Sequence, residues 1–138
     1  MRWGLFENVF KRLKDSLEIP VLPYEPNWNN WVSFPVAWIE LEKEEIREGM
    51  SSFDRKIPIV VYIAHRGLFE NVEQIQQKIY DLSDQVEQLL TNHAFAVDGK
   101  KVLLLYKGWD PFKDLKVENN QTFFVFVTAI HFEARTRR

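Results

Sequence analysis

Apolar residues at Trp3, Phe6, Val9, Phe10, Leu13 and Leu17 recur at intervals of three and four. Lys11, Arg12, Lys14 and Asp15 take the other side, so the pattern predicts an amphipathic helix near Trp3 to Leu17. Pro20, Pro23 and Pro26 end it and hold an extended segment, residues 19–33, that carries Trp28 and Trp31. Tryptophans of that kind need burial, so the segment reads as an ordered strap. From Phe34 to Glu42 the pattern turns strand-like, with Val36 and Trp38 on one face and Ala37, Ile39 and Leu41 on the other. Lys56 to Arg66 repeats this, with Ile57, Ile59, Val61 and Ile63 opposite Val60, Tyr62 and Ala64. Asn71 followed by Gln74 reads as a helix cap, and Val72, Ile75, Ile79, Leu82, Val86 and Leu89 predict a second helix from Asn71 to Leu90. Asp98-Gly99 between Phe95-Ala96-Val97 and Val102 to Tyr106 is a type I′ hairpin signal. A loop is expected from Gly108 to Asn120, then a closing strand from Thr122 to Ala134.

These elements predict a single α+β domain over residues 1–138. Its sheet is expected to be largely antiparallel, of four to five strands, with two helices on one face in the order α-β-β-α-β-β. Two helices at ~10 Å spacing cover about the ~19 Å width of four strands, so one face is sheltered. The strands are apolar on both faces all the same, whereas an antiparallel sheet with one wet face alternates apolar with polar. The strap or a neighbouring subunit must cover the second face. The candidate contact residues are Val60, Tyr62, Phe124, Phe126, Phe132, Trp28, Trp31, Arg135 and Arg137.

Composition narrows the possible functions. Eighteen Lys and Arg against 20 Asp and Glu give a net charge of -2, which disfavours general binding of nucleic-acid phosphates. The absence of cysteine removes disulfides, thiolate metal sites and cysteine nucleophiles. No apolar run approaches a membrane span or a secretory leader, so the chain is expected to be soluble and to have no membrane partner. The five glycines are isolated from one another, which excludes glycine-rich phosphate loops, and no serine lies in a Gly-x-Ser-x-Gly elbow. His65 and His131 could approach each other beside Glu133 if their strands pair, but no compact ligand motif exists. No metal, cofactor or catalytic residue is expected, and the chain does not read as an enzyme.

Charge is unevenly placed. Glu40, Glu42, Glu44, Glu45 and Glu48 form an acidic limb that reads as a solvated hairpin limb, while Arg2, Lys11, Arg12, Lys14, Arg135, Arg137 and Arg138 make the two ends basic. The basic ends read first as solubility at fraying termini; the alternative is that a basic end meets the acidic limb of a neighbouring subunit in a head-to-tail contact. The hexapeptide Gly4-Leu5-Phe6-Glu7-Asn8-Val9 recurs as Gly67-Leu68-Phe69-Glu70-Asn71-Val72; the residues that follow do not match, so it is read as a shared helix-start signal rather than a structural repeat.

The N-terminal helix, the strand opening with Phe34-Pro35-Val36-Ala37-Trp38-Ile39, the strand Ile57 to Ala64, the helix Asn71 to Leu90 and the final strand Phe123 to Phe132 together resemble the tail terminator, or tail completion, proteins of long-tailed bacteriophages. The resemblance covers nearly the whole chain and rests on the pattern of elements. It implies a structural virion protein located at the head-tail interface. Six copies would form a ring that caps the tail tube, ends its polymerisation and joins the tail to the head connector. The implied partners are further copies of the chain, the tail tube protein and a neck or head-completion protein, with DNA passing through the lumen without specific binding. The acidic limb could then face that lumen. A neck adaptor of the same particle, or a small ligand-binding α+β domain with a pocket between strap and sheet, are the alternatives.

Overall fold

The computed structural model describes residues 1–28, 33–44 and 54–137. Two helices, α1 (Arg2–Ser16) and α2 (Val72–Leu90), accompany six strands: β1 (Val21–Leu22), β2 (Val36–Leu41), β3 (Asp54–Leu68), β4 (Ala94–Val97), β5 (Lys100–Glu118) and β6 (Gln121–Arg137). A 3₁₀ turn, Phe69–Asn71, leads from β3 into α2. The strands form one sheet in the order β1-β2-β3-β6-β5-β4, mixed because β1 runs parallel to β2, and curled into a half-barrel. The expected antiparallel sheet of four to five strands in α-β-β-α-β-β order is therefore corrected. Its missing strand, β1, is only two residues long between Pro20 and Pro23, too short to show alternation, and the parallel pairing is a contact remote in sequence.

The helices form where their apolar residues share one flank. Leu5, Val9 and Leu13 of α1 and Ile75, Ile79, Leu82, Val86 and Leu90 of α2 are all buried. They meet Ile57, Ile59, Val61 and Ile63 of β3 and Phe124, Phe126, Ile130 and Phe132 of β6 in one core. Each such side chain contributes about 1.5–3 kcal/mol on burial. α1 packs against β1 and β2 near one edge of the sheet and against β4 at the other, so the sheet wraps around the helices. Asn71 stands at the N-cap of α2 as its spacing predicted, but its side chain makes no capping hydrogen bond.

The loop expected from Gly108 to Asn120 is instead the outer half of β5, paired with β6 up to Glu118 opposite Gln121. Two local features close this long hairpin. Asn119 and Asn120 both adopt positive φ, 51° and 62°, which a two-residue type I′ turn demands and asparagine tolerates. Asp98 and Gly99, at 51° and 76°, turn the β4–β5 hairpin in the same way. The register shifts between Tyr106 and Gly108, and Gly108 has a φ of 153°, as in a bulge that only glycine enters freely. The bulge reverses the alternation of β5: Leu104, opposite Ala134, faces the helices before it, and Trp109, opposite Ile130, does so after it. That phase change is why the stretch does not read as one strand.

Candidate interaction surfaces

On β2, β3 and β6 the side chains facing away from the helices are Val36, Trp38 and Glu40, then Val60, Tyr62, Ala64 and Arg66, then the odd-numbered residues of β6 from Phe123 to Arg135. The strap covers one end of this face. Trp28 stacks on Phe34 at 5.8 Å and meets Trp38 edge-on at 5.8 Å, while Trp38 stacks on Tyr62 at 5.2 Å. Val36, Trp38 and Ala64 are buried there, with Leu22, Phe34, Tyr62 and Val127 packed around them. The expectation that strap and sheet meet is thus realised in part, at the β2 end.

Between the strap and β5 lies a groove of about 1040 Å³, with Trp28, Phe34, Tyr62, Phe112 and Phe123 among its walls. Arg66 lies over the Phe123 ring at 4.6 Å and pairs with Glu118 at its rim. The indole N–H of Trp38, which also lines it, is buried with no hydrogen-bond partner. Burial first, then the charges of Glu40 and Glu42, raise the Tyr62 hydroxyl above the ordinary tyrosine value; its O–H donates to Glu42 at 3.4 Å. A second, smaller groove of about 590 Å³ is charged, lined by Lys43, Lys56, Lys107, Glu133 and Arg135. Glu133 accepts from Arg135 at 3.2 Å and pairs with Lys107 at 3.3 Å. Burial pushes its carboxyl up, but those two cations outweigh it and hold the value below the usual range.

The sequence-derived contact residues fall into separate groups. Val60 lines the charged groove and Tyr62 the aromatic one, although Val60 is itself buried. Trp28 is at the strap, 44% exposed. Phe124, Phe126 and Phe132 are buried under the helices by their own chain and offer nothing to a partner; Phe123 and Val125 are among the residues of β6 that face outward. Alternation puts large residues on both faces of β6, and only the packing of the helices decides which face is buried. Arg135 is exposed beside Glu133, the Arg137 backbone pairs opposite Asp54, and Trp31 lies outside the described residues.

The acidic limb is not a uniform solvated edge. Glu44 is nearly buried between Arg55 and Arg2, so one contact between the basic first helix and the acidic limb forms inside the chain. Arg12 likewise donates to the Leu89 carbonyl at 2.6 Å. Glu40 is half-buried on β2 and Glu42 exposed, whereas Glu45 and Glu48 lie outside the described residues. His65 and His131 do not approach: His65 is opposite Phe126 and His131 opposite Val60, so they occupy opposite faces of the sheet. His131 lies 2.7 Å from Asp110 instead. No group of three potential metal-ligating residues occurs among the described residues. On the helix side a third surface emerges that the helical spacing already contained: Trp3, Phe6 and Phe10 stack along the flank of α1 at 5.7 and 6.0 Å, with Trp3 71% exposed.

No protein-family model matches the chain, and no curated protein matches it. One solved structure, of a protein whose name describes no activity, is similar over 99% of this chain and 92% of its own, with a TM-score of 0.50 and 11% identity. At that identity the likeness concerns the fold alone.

Proposed function

We propose that this chain is a structural, ring-forming protein of the tail-terminator type, which caps a phage tail tube and joins it to the head connector. One observation carries the reading. Partly exposed apolar surface stands on both sides of the sheet, the Trp3–Phe6–Phe10 ladder, exposed chiefly at Trp3, on the helix side and the aromatic groove on the other. Two unlike surfaces on opposite sides of one subunit suit a head-to-tail contact, and such contacts make a ring when the rotation closes. The pattern of elements that resembles tail terminators supports the same reading. A neck adaptor would use the same surfaces against a different neighbour.

Native sizing and negative-stain microscopy, of the protein alone and with assembled tail tubes, test the proposal. Rings, or tubes capped at one end, are expected. A monomer that neither assembles nor caps tubes would overturn it. The groove between strap and sheet, with its unpartnered Trp38 N–H, favours a second reading as a ligand-binding domain. A strict monomer that retains a small molecule through purification is the outcome expected of that reading.

A further inference from the structure

β5 has β6 along one edge from Val102 to Glu118, but on the other edge β4 pairs only with residues 100–103, and the Leu104 carbonyl accepts the Asn92 N–H. Beyond that point no strand among the described residues lies along the second edge of β5. An open edge is a template for another strand unless it is blocked. Two blocks are present: the bulge at Gly108, and Pro111, which has no N–H to offer. Neither extends further, so residues 112–118 run unobstructed to the Asn119–Asn120 turn. Phe112, Leu115 and Val117 are 60%, 55% and 72% exposed within this window. The Leu115 N–H donates to the carboxylate of its own neighbour Asp114 at 2.9 Å, so it is turned to the open edge and satisfied by a stand-in acceptor. By strand alternation the backbone groups of Lys113 and Val117 point the same way.

We propose that residues 112–118 pair antiparallel with the same residues of a second copy of this chain, about a two-fold axis at Leu115. Residues directly opposite in such a pair share a face, and like charges placed opposite are destabilising. With the axis at Leu115, the whole window pairs, Leu115 meets its own copy, and Asp114 faces the partner's Lys116 twice. An axis at Phe112 sets Asp110 against the partner's Asp114, and axes at Lys113, Asp114 or Lys116 set each of those charges against itself. On pairing, the Asp114 carboxylate releases the Leu115 N–H to the partner's Leu115 carbonyl and turns to the partner's Lys116. This contact is self-complementary and runs along a backbone edge, so it is distinct from the head-to-tail contact of the ring and holds whether or not the ring forms.

The chain has no cysteine, so single substitutions report the register cleanly. Directly opposite residues stand about 5.5 Å apart at Cα, within disulfide range. Under mild oxidation Leu115→Cys alone is expected to form a covalent dimer, whereas Lys113→Cys and Val117→Cys cross-link only when mixed. Equal yields from all three variants alone, or no dimer from Leu115→Cys, overturn the proposal. Val117→Pro removes an outward N–H without touching the ladder to β6. It is expected to abolish the native dimer in sizing while the thermal melt of the subunit stays in place; a dimer that survives it also overturns the proposal.

Discussion

Arg55 grips the Glu44 carboxylate with a forked contact, its Nε 2.9 Å from Oε2 and its Nη2 3.1 Å from Oε1. The hydrogen bond to Glu44 in turn raises the Arg55 pKa above its ordinary value. Arg2 reaches the same carboxylate at 3.1 Å, so one acidic side chain ties the end of β2 to β3 and to the start of α1. Glu44→Gln, which keeps shape but not charge, is expected to lower stability by about 1.5–3 kcal/mol, the range for hydrogen bonds to charged groups. Urea denaturation checks this; an unchanged midpoint would mean the clamp contributes nothing.

A polar node sits inside the core. Ser83 donates to the Ile79 carbonyl at 2.7 Å, lies 3.5 Å from the Thr128 hydroxyl, and accepts the Trp109 indole N–H at 3.2 Å. Ser83→Ala strands two partners at once and is expected to cost about 1–3 kcal/mol, the range for leaving buried polar groups unpaired. Trp109→Phe removes one donor only and should cost less. The reverse ranking in thermal melts would contradict the assignment.

His65 accepts the backbone N–H of Arg66 at Nδ1, at 2.9 Å, a bond that requires that nitrogen to be unprotonated. Burial, and then the charge of Lys78, lower its pKa. The unfolded chain therefore takes up the proton first as pH falls. Stability is level well above about 6.5, the unfolded value, and declines below it down to the folded value. His93, lowered by burial and Arg12, adds in the same direction. His65→Asn keeps an acceptor but does not titrate, so it should flatten part of this decline between neutral and mildly acidic pH. An unchanged stability-versus-pH slope in that variant refutes the point.

The two faces of the β5–β6 hairpin should respond oppositely to truncation. Phe126 is buried against Tyr80 at 5.6 Å and Phe124 at 6.0 Å, and Phe126→Ala is expected to cost about 3–5 kcal/mol. Phe112, on the outward face opposite Val127, is largely exposed, and Phe112→Ala should stay within about 0.5 kcal/mol in the isolated subunit. A large loss from Phe112→Ala would mean that its own chain covers it.

Much of the local structure was legible because its signals are local. The periodicities of α1 and α2, the alternation of β3 and the Asp98-Gly99 turn each depend on neighbours within a few residues. What escaped reading depended on remote contacts. β1 exists only because β2 offers it a parallel edge, and β5 continues past Gly108 only because β6 pairs with it beyond the bulge. The Asn119-Asn120 pair was the one available sign of the hairpin tip. For the surfaces, alternation located apolar residues on both faces, but burial alone distinguished Phe126 from Phe123, and geometry alone turned Glu44 inward.

The repeated hexapeptide separates the two sources of information most sharply. Gly4 to Val9 lies wholly inside α1, with Leu5 and Val9 fully buried. In the second copy the same residues end β3 at Gly67 and Leu68, form the 3₁₀ turn and open α2 at Val72, with Phe69 exposed. The amino acids alone determined that helix, strand and turn segments would exist and which residues were apolar. The paths of the flanking chain decided which conformation six identical residues adopt, because hydrogen-bond partners and burial are supplied by strands far away in sequence.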